Sequence, residues 1–288
     1  MQVREVISRT TKFFGDHGIE TARLDAELLL AHTLKCDRVQ LYLRFDYPLQ
    51  KDELEDCRDL VRRRAMGEPV AYLIGQKDFY KSTFRVRSGV LIPRPETELV
   101  VETALQLVAQ ADLQAFRAAD FGCGTGCIGQ SLLLECSQMT LFAVDSSATA
   151  IETSAENAER LGLSDRVEIC LDRVQNLGTR RELLSSFNLV VANPPYIAVG
   201  DAQVADDVRA FEPSQALFAG PDGLSEIRSW VAVAFDLLKP SAWLVTEIGF
   251  MQARSVGDIF SDQGLIGVSV HKDMAGRDRV VIAQKPGC

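Results

Sequence analysis

Apolar positions recur every three or four residues through the first part of the chain. Val3, Val6, Ile7, Thr10, Phe13 and Phe14 hold this spacing until Gly15 and Gly18 interrupt it, so the pattern predicts an amphipathic helix. A second helix fits Leu24 to Leu34. A third, from about Lys51 to Met66, puts Leu54, Cys57, Leu60, Val61 and Ala65 on one face before Gly67-Glu68-Pro69 ends it. Residues 1–74 therefore read as a small helical domain. The run Arg62-Arg63-Arg64 reads as a solvated helix end favoured by the helix dipole.

The period then changes. From Gln76 to Ile92, Phe84 and Val86 alternate with Arg85 and Arg87, and Ser88-Gly89 supplies turn chemistry, which predicts a β-hairpin linker over residues 75–92. Beyond it, apolar runs at Phe116–Phe121, Leu141–Val144, Val167–Leu171, Leu189–Ala192 and Trp243–Ile248 alternate with helical periods. Strand and helix in regular alternation predict a mainly parallel sheet with helices on both faces, over residues 93–288.

Composition narrows the functional classes. With 31 Lys and Arg against 40 Asp and Glu, the net charge of −9 disfavours stable nucleic-acid binding, which needs clustered cations to release counterions. No run approaches the roughly 20 apolar residues of a membrane helix, and the start Met1-Gln2-Val3-Arg4-Glu5 lacks a signal peptide's apolar block, so a cytoplasmic protein without membrane association is expected. Seven scattered cysteines, Cys288 among them, do not form a disulfide framework. Cys123 and Cys127 have no ligand partners downstream and read as buried thiols, with no metal expected.

The first chemistry-bearing segment is Gly122-Cys123-Gly124-Thr125-Gly126, at the end of a predicted strand and the start of a predicted helix. Glycines permit positive φ and close ligand approach, and the free amides of a helix start face the ligand. Read from Gly124, the stretch to Gly129 also fits the dinucleotide pattern G-x-G-x-x-G. Asp145 ends the next strand about 20 residues further on, where an acid can accept from both hydroxyls of a ribose, or, as Asp145-Ser146-Ser147 precedes a helical stretch, cap that helix. Asp172, at the end of the third strand, is a candidate partner for an adenine amino group, or a surface turn residue.

The second is Asn193-Pro194-Pro195-Tyr196, at the end of the fourth strand and expected beside the first. Two prolines alone would make a rigid turn, but that leaves Asn193 and Tyr196 unexplained. The Asn193 side-chain oxygen and the Pro194 carbonyl make two fixed acceptors, and Tyr196 adds a flat face. This set suits an NH2 group on a planar π system, either a carboxamide or the exocyclic amine of a base. Such a nitrogen is a poor nucleophile and needs a strong, aligned electrophile, for which the methyl of S-adenosylmethionine (SAM) qualifies. His17, His32 and His271 lie outside these motifs, and no tuned general base is required.

These residues carry a resemblance. Over essentially its whole length the chain resembles the PrmC or HemK family of glutamine methyltransferases that modify class I peptide chain release factors. Further segments match that family: Gly67-Glu68-Pro69-Val70-Ala71-Tyr72-Leu73, Leu91-Ile92-Pro93-Arg94-Pro95-Glu96-Thr97-Glu98, Arg209-Ala210-Phe211-Glu212-Pro213 and Ala275-Gly276-Arg277-Asp278-Arg279-Val280-Val281. The tetrapeptide alone is shared with adenine and cytosine amino-methyltransferases; the surrounding set is specific. The resemblance implies an α/β fold, a Rossmann-like SAM-dependent methyltransferase sheet with a small N-terminal helical domain joined by a β-hairpin. It implies SAM held by Gly122, Cys123, Gly124, Thr125, Gly126, Asp145, Asp172, Arg173 and Asn193. The glutamine of the release factor's Gly-Gly-Gln loop would meet Asn193, Pro194, Pro195 and Tyr196, with Asn193, Pro194 and Tyr196 catalytic, and residues 1–74 would dock the protein substrate. Arg173 departs from relatives that carry an apolar or aromatic residue there.

Glu96 and Glu98 fit either helix capping or cofactor contact, Trp230 and Trp243 read as packing residues, and Glu247 is a candidate site residue at a strand end for which the sequence supplies no partner. Competing readings are a nucleic-acid amino-methyltransferase, which the charge disfavours, a dinucleotide-dependent oxidoreductase, which leaves the tetrapeptide unexplained, and a non-catalytic binding module.

Overall fold

The computed structural model describes residues 1–111 and 115–287, so Cys288 lies outside the described residues. The chain divides into two compact units. One comprises Met1–Gln76 with Asp206–Phe211, the other Lys77–Ala205 with Glu212–Cys288.

The first unit is helical, with helices at Val3–Asp16, Ala22–Thr33, Arg38–Leu43, Lys51–Ala65 and Val70–Ile74. The apolar stripes foreseen from spacing supply its core, with Val3, Val6, Ile7 and Cys57 in one cluster and Phe14, Leu29 and Leu73 in another. Arg38–Leu43 is too short for periodicity to reveal. It is held by its cap, where the Asp37 carboxylate accepts from the Gln40 amide at 2.8 Å. The arginine run departs from a uniformly solvated helix end. Arg62 and Arg63 pair with Asp59 and Glu68, but Arg64 turns inward to a buried ion pair with Asp25 at 2.7 Å. Asp206–Phe211 joins this unit through Phe211, whose ring lies against Gly67.

In the second unit, β1 (Gln76–Phe79) and β2 (Ser82–Arg85) form a hairpin that turns at Tyr80-Lys81, while Ser88-Gly89 makes a separate turn beyond it. The hairpin is anchored in the unit's core, since Phe79 and Phe84 pack with Val100, Val101 and Leu132. The main sheet comprises β3 (Phe116–Phe121), β4 (Met139–Asp145), β5 (Val167–Leu171), β6 (Phe187–Ala192), β7 (Leu238–Glu247), β8 (Ile266–Lys272) and β9 (Asp278–Gln284), in the order β5-β4-β3-β6-β7-β9-β8. The first five are parallel; β9 runs antiparallel between β7 and β8. The predicted parallel sheet is thus present, extended by an antiparallel pair whose short alternation the spacing of earlier strands did not announce.

Alternate residues of β3, β4 and β6 enter opposite layers, as a pleated strand requires. Ala119, Phe121, Phe142 and Val190 pack on the helices Ser225–Leu237 and Ala253–Asp262; Ala118, Leu141 and Leu189 pack on Glu98–Gln110 and Cys127–Glu135. Strand order reverses direction at β3, which has β4 on one side and β6 on the other. In open α/β sheets ligands bind at the carboxyl ends beside such a switch point. Among the described residues, no helix is long and apolar enough to cross a membrane.

Candidate functional site

Three strand ends meet at the switch point. The glycine turn follows β3, Asp145 closes β4 and Asn193 follows β6; neighbouring register pairs Phe121 with Val144 and with Ala192. A cavity of about 290 Å³ opens there, near the lower end of the range for ligand pockets. Gly122, Cys123, Gly124, Thr125, Asp145, Arg173, Asn193 and Pro195 all line it, so most residues singled out from the sequence come together.

Backbone geometry explains the glycines. Gly122, Gly124 and Gly126 have φ of +67°, +55° and +80°, which side chains disfavour. A Cβ on Gly122 would lie 2.5 Å from the Trp230 ring, and one on Gly126 2.3 Å from Gln130 Nε2. At Gly124 the nearest atom would be 3.9 Å away, so this residue leaves its backbone open to the cavity. Asn157, wholly buried, braces the turn by donating to the Thr125 carbonyl at 3.0 Å while its oxygen accepts from the Arg85 amide at 2.7 Å.

Asp145 is held at both oxygens. Oδ2 accepts from the Gly124 amide at 2.9 Å and Oδ1 from the Ser147 amide at 2.8 Å. Each oxygen keeps a lone pair for a ligand hydroxyl. Burial raises its pKa, and backbone amides at Ser147, Gly124 and Ser146 oppose the rise. Asp172 is occupied elsewhere. It accepts from the Arg173 amide at 2.8 Å and from Asn176 at 2.7 Å, pairs with Arg180, and is not among the cavity-lining residues. A strand-end acid can bond the residues that follow it as readily as face a ligand, and here it bonds Arg173, Asn176 and Arg180. Arg173 faces the cavity with Val174 and Gln175.

Around the tetrapeptide, Asn193 Nδ2 donates to Thr97 Oγ1 at 3.3 Å, and the Tyr196 hydroxyl donates to Glu247 Oε1 at 3.1 Å. Gln252 Nε2 donates to the Tyr196 carbonyl at 2.9 Å. Asn193 and Pro195 line the cavity, and Pro194 and Tyr196 are not among its lining residues. Burial pushes the Tyr196 phenol up, and it pushes Glu247 up to about 7 against the pull of Thr97, Arg279 and Tyr196.

Several contributors escaped the sequence reading. Trp230, read as a packing residue, lines the cavity, covers Gly122 and donates to Glu226 Oε2 at 3.0 Å. Glu226 and Gln175 line it beside Trp230. Neither Glu96 nor Glu98 does: Glu98 accepts from the Tyr80 amide at 3.0 Å, and the residue between them, Thr97, faces the cavity. Arg94 lines the wall and is paired with buried Glu212, which also accepts from the Ile92 amide at 3.2 Å. That ion pair gives the signature segments around Arg94 and Glu212 a shared purpose no local pattern displays. Cys123 and Cys127 are buried, with thiol pKa values raised by burial; among the described residues no three His, Cys, Asp or Glu form a metal-holding group.

Comparison with known proteins supplies independent findings. A family model described as the PrmC N-terminal domain matches residues 5–75, and one described as the methyltransferase small domain matches residues 97–215. The chain is 41% identical over 265 residues to the release factor glutamine methyltransferase of Xylella fastidiosa, covering 92% of this chain and 94% of that protein. It is 39% identical over 281 residues to the protein of the same description from Geobacter sulfurreducens, covering 97% and 95%. The crystal structure of a SAM-dependent methyltransferase from Agrobacterium tumefaciens, 14% identical, matches with a TM-score of 0.51 over 74% of this chain and 70% of that one, a likeness of fold.

Proposed function

The chain belongs to the release factor glutamine methyltransferase family, and from that premise we propose that it transfers the methyl group of SAM to the side-chain amide nitrogen of the Gly-Gly-Gln glutamine in class I peptide chain release factors. The observation that carries this reading is the convergence of Gly124, Asp145 and Asn193 on one cavity. The site fits the nucleoside part of SAM: an open backbone at Gly124, a carboxylate with spare acceptor sites at Asp145, and the aromatic Trp230 in one wall. When bound, SAM supplies a methyl on a cationic sulfur, the strong electrophile that a delocalised amide lone pair needs.

The chain's own residues select and orient the nitrogen. Asn193 Oδ1 and the Pro194 carbonyl accept its two hydrogens, and Tyr196 packs on the amide plane. As the new N–C bond forms and the methyl–sulfur bond breaks, with its electron pair returning to sulfur, positive charge grows on nitrogen and its hydrogens become stronger donors. The two acceptors therefore bind the transition state more tightly than the ground state. One of these hydrogens then leaves as a proton to solvent, restoring a neutral amide. No general base is asked to act before transfer.

In the same reading, the helical unit docks the protein substrate and the enzyme works in the cytoplasm, where peptide chain release takes place. Mass spectrometry of a class I release factor incubated with the enzyme and SAM tests the whole: one added methyl on the loop glutamine is expected. Absence of transfer to any release factor, or transfer to nucleic acid instead, overturns it.

A further inference from the structure

We infer that Glu247 is a positioning residue for methyl transfer, holding the Tyr196 ring directly and fixing the orientation of the Asn193 amide through Thr97. This deepens the function proposed above and rests on it. Glu247 closes β7 beside β6, with 1% of its surface exposed, and Thr97 is 2% exposed. A carboxylate so placed has only acceptors to offer, so hydroxyl hydrogens near it turn towards it. Tyr196 makes the close contact, 3.1 Å to Oε1. Oε2 has no hydrogen-bond partner among the described residues, and the Thr97 hydroxyl is a neighbour whose influence holds the carboxyl's pKa down. An unsatisfied buried acceptor beside a hydroxyl leaves that proton one favourable direction.

The consequence reaches Asn193. Thr97 has a single hydroxyl hydrogen, and with it directed at Glu247 only a lone pair of Oγ1 faces Asn193 at 3.3 Å. A lone pair accepts from an NH2 and repels an oxygen. Nδ2 must therefore face Thr97, and Oδ1 must face the other way, towards the acceptor nitrogen. A neutral Glu247 would release this constraint, because its own proton could then occupy Thr97 and free the Thr97 hydrogen for Asn193 Oδ1. The charged and titratable groups acting on this cluster are Tyr196, Arg279, Arg94, Glu96 and Cys127. Tyr196 stays a donor throughout because its own pKa is pushed up. With Glu247 near 7, the ionised, correctly orienting form gains population as pH rises through neutrality.

The test uses the full-length enzyme, an intact class I release factor and SAM. Glu247→Gln is expected to lower kcat about tenfold or more, as misorientation of one preorganised contact does, with SAM affinity within about twofold of the parent. Thr97→Val should match it, Thr97→Ser should restore activity, and the double variant should be no worse than either single one. The parent's rate should rise through about pH 7, and Glu247→Gln should lose that limb. A Glu247→Gln enzyme with the parent's kcat and pH profile overturns the inference while leaving the proposed function intact, as does a parallel loss of melting temperature and SAM affinity in both Glu247→Gln and Thr97→Val. If the parent transfers no methyl, the proposed function fails instead. The Asn193 side-chain NH2 resonance then decides the inference alone, by moving or not moving on Thr97→Val and on Glu247→Gln.

Discussion

Asn193 and Asp145 occupy one cavity but answer to different chemistry. In the proposed function Asn193 offers an oxygen to a nitrogen on which charge develops, so its removal should be felt in the transition state. Asn193→Ala is expected to lower single-turnover transfer by about 10² to 10³-fold, with the calorimetric SAM affinity nearly unchanged. Asp145 secures Gly124 and Ser147, and in the proposed function it also offers its oxygens to the bound cofactor. Asp145→Ala should weaken SAM binding by about tenfold or more, the worth of charge-assisted hydrogen bonds, measured by the same titration. The place of both residues was legible because each stands at a strand end, where the chain's direction is known. Trp230 was not, because a tryptophan on an amphipathic helix looks the same whether it packs a core or walls a cavity.

At the scale of elements, the glycine turn divides labour among its members. Gly126→Ala combines a φ of +80° with a Cβ 2.3 Å from Gln130 and 2.6 Å from Ser154 Oγ. It should cost about 1–3 kcal/mol of stability, read from denaturant unfolding. Gly124→Ala meets no atom closer than 3.9 Å, so it should disturb folding less and SAM affinity more. If Gly124→Ala proved the more destabilising of the two, this division of roles would be wrong. The turn could be recognised in the sequence because positive φ selects glycine whatever surrounds it. The helix Arg38–Leu43 and the β8 and β9 pair could not be foreseen: six residues give too few repeats for a helical period, and the partner of an edge strand is chosen by the finished sheet.

For the whole molecule, two buried carboxyls set a pH dependence. Burial raises Asp120 from 3.8 to about 7 and Glu247 from 4.5 to about 7. Between those limits the folded chain keeps protons that the unfolded chain has released, so stability falls as pH rises across the window. Carboxylates held low, such as Asp273 and Asp222, contribute in the opposite sense but lose their effect only in more acid solution, below the ordinary value of 3.8. The urea midpoint should therefore decline from about pH 5 to pH 8, and Asp120→Asn should flatten that decline. Ionising Glu247 thus costs stability over the same interval in which it is inferred to support transfer.

The amino-acid sequence by itself determined the local elements and the order of chemistry along them: the helical start, the strand-and-helix alternation, the glycine turn, and an acid and an Asn-Pro-Pro-Tyr segment at strand ends. These follow from period, φ restriction and chain direction, which act over a few residues. Only the tertiary structure decided that Thr97 and Asn193, far apart in the chain, meet at one cavity wall, that Tyr196 finds Glu247, that Arg94 finds Glu212, and that Asp172 pairs with Arg180. Such meetings depend on which strand lies beside which. Sheet order is settled by burial over the whole molecule, and no short window of sequence contains it.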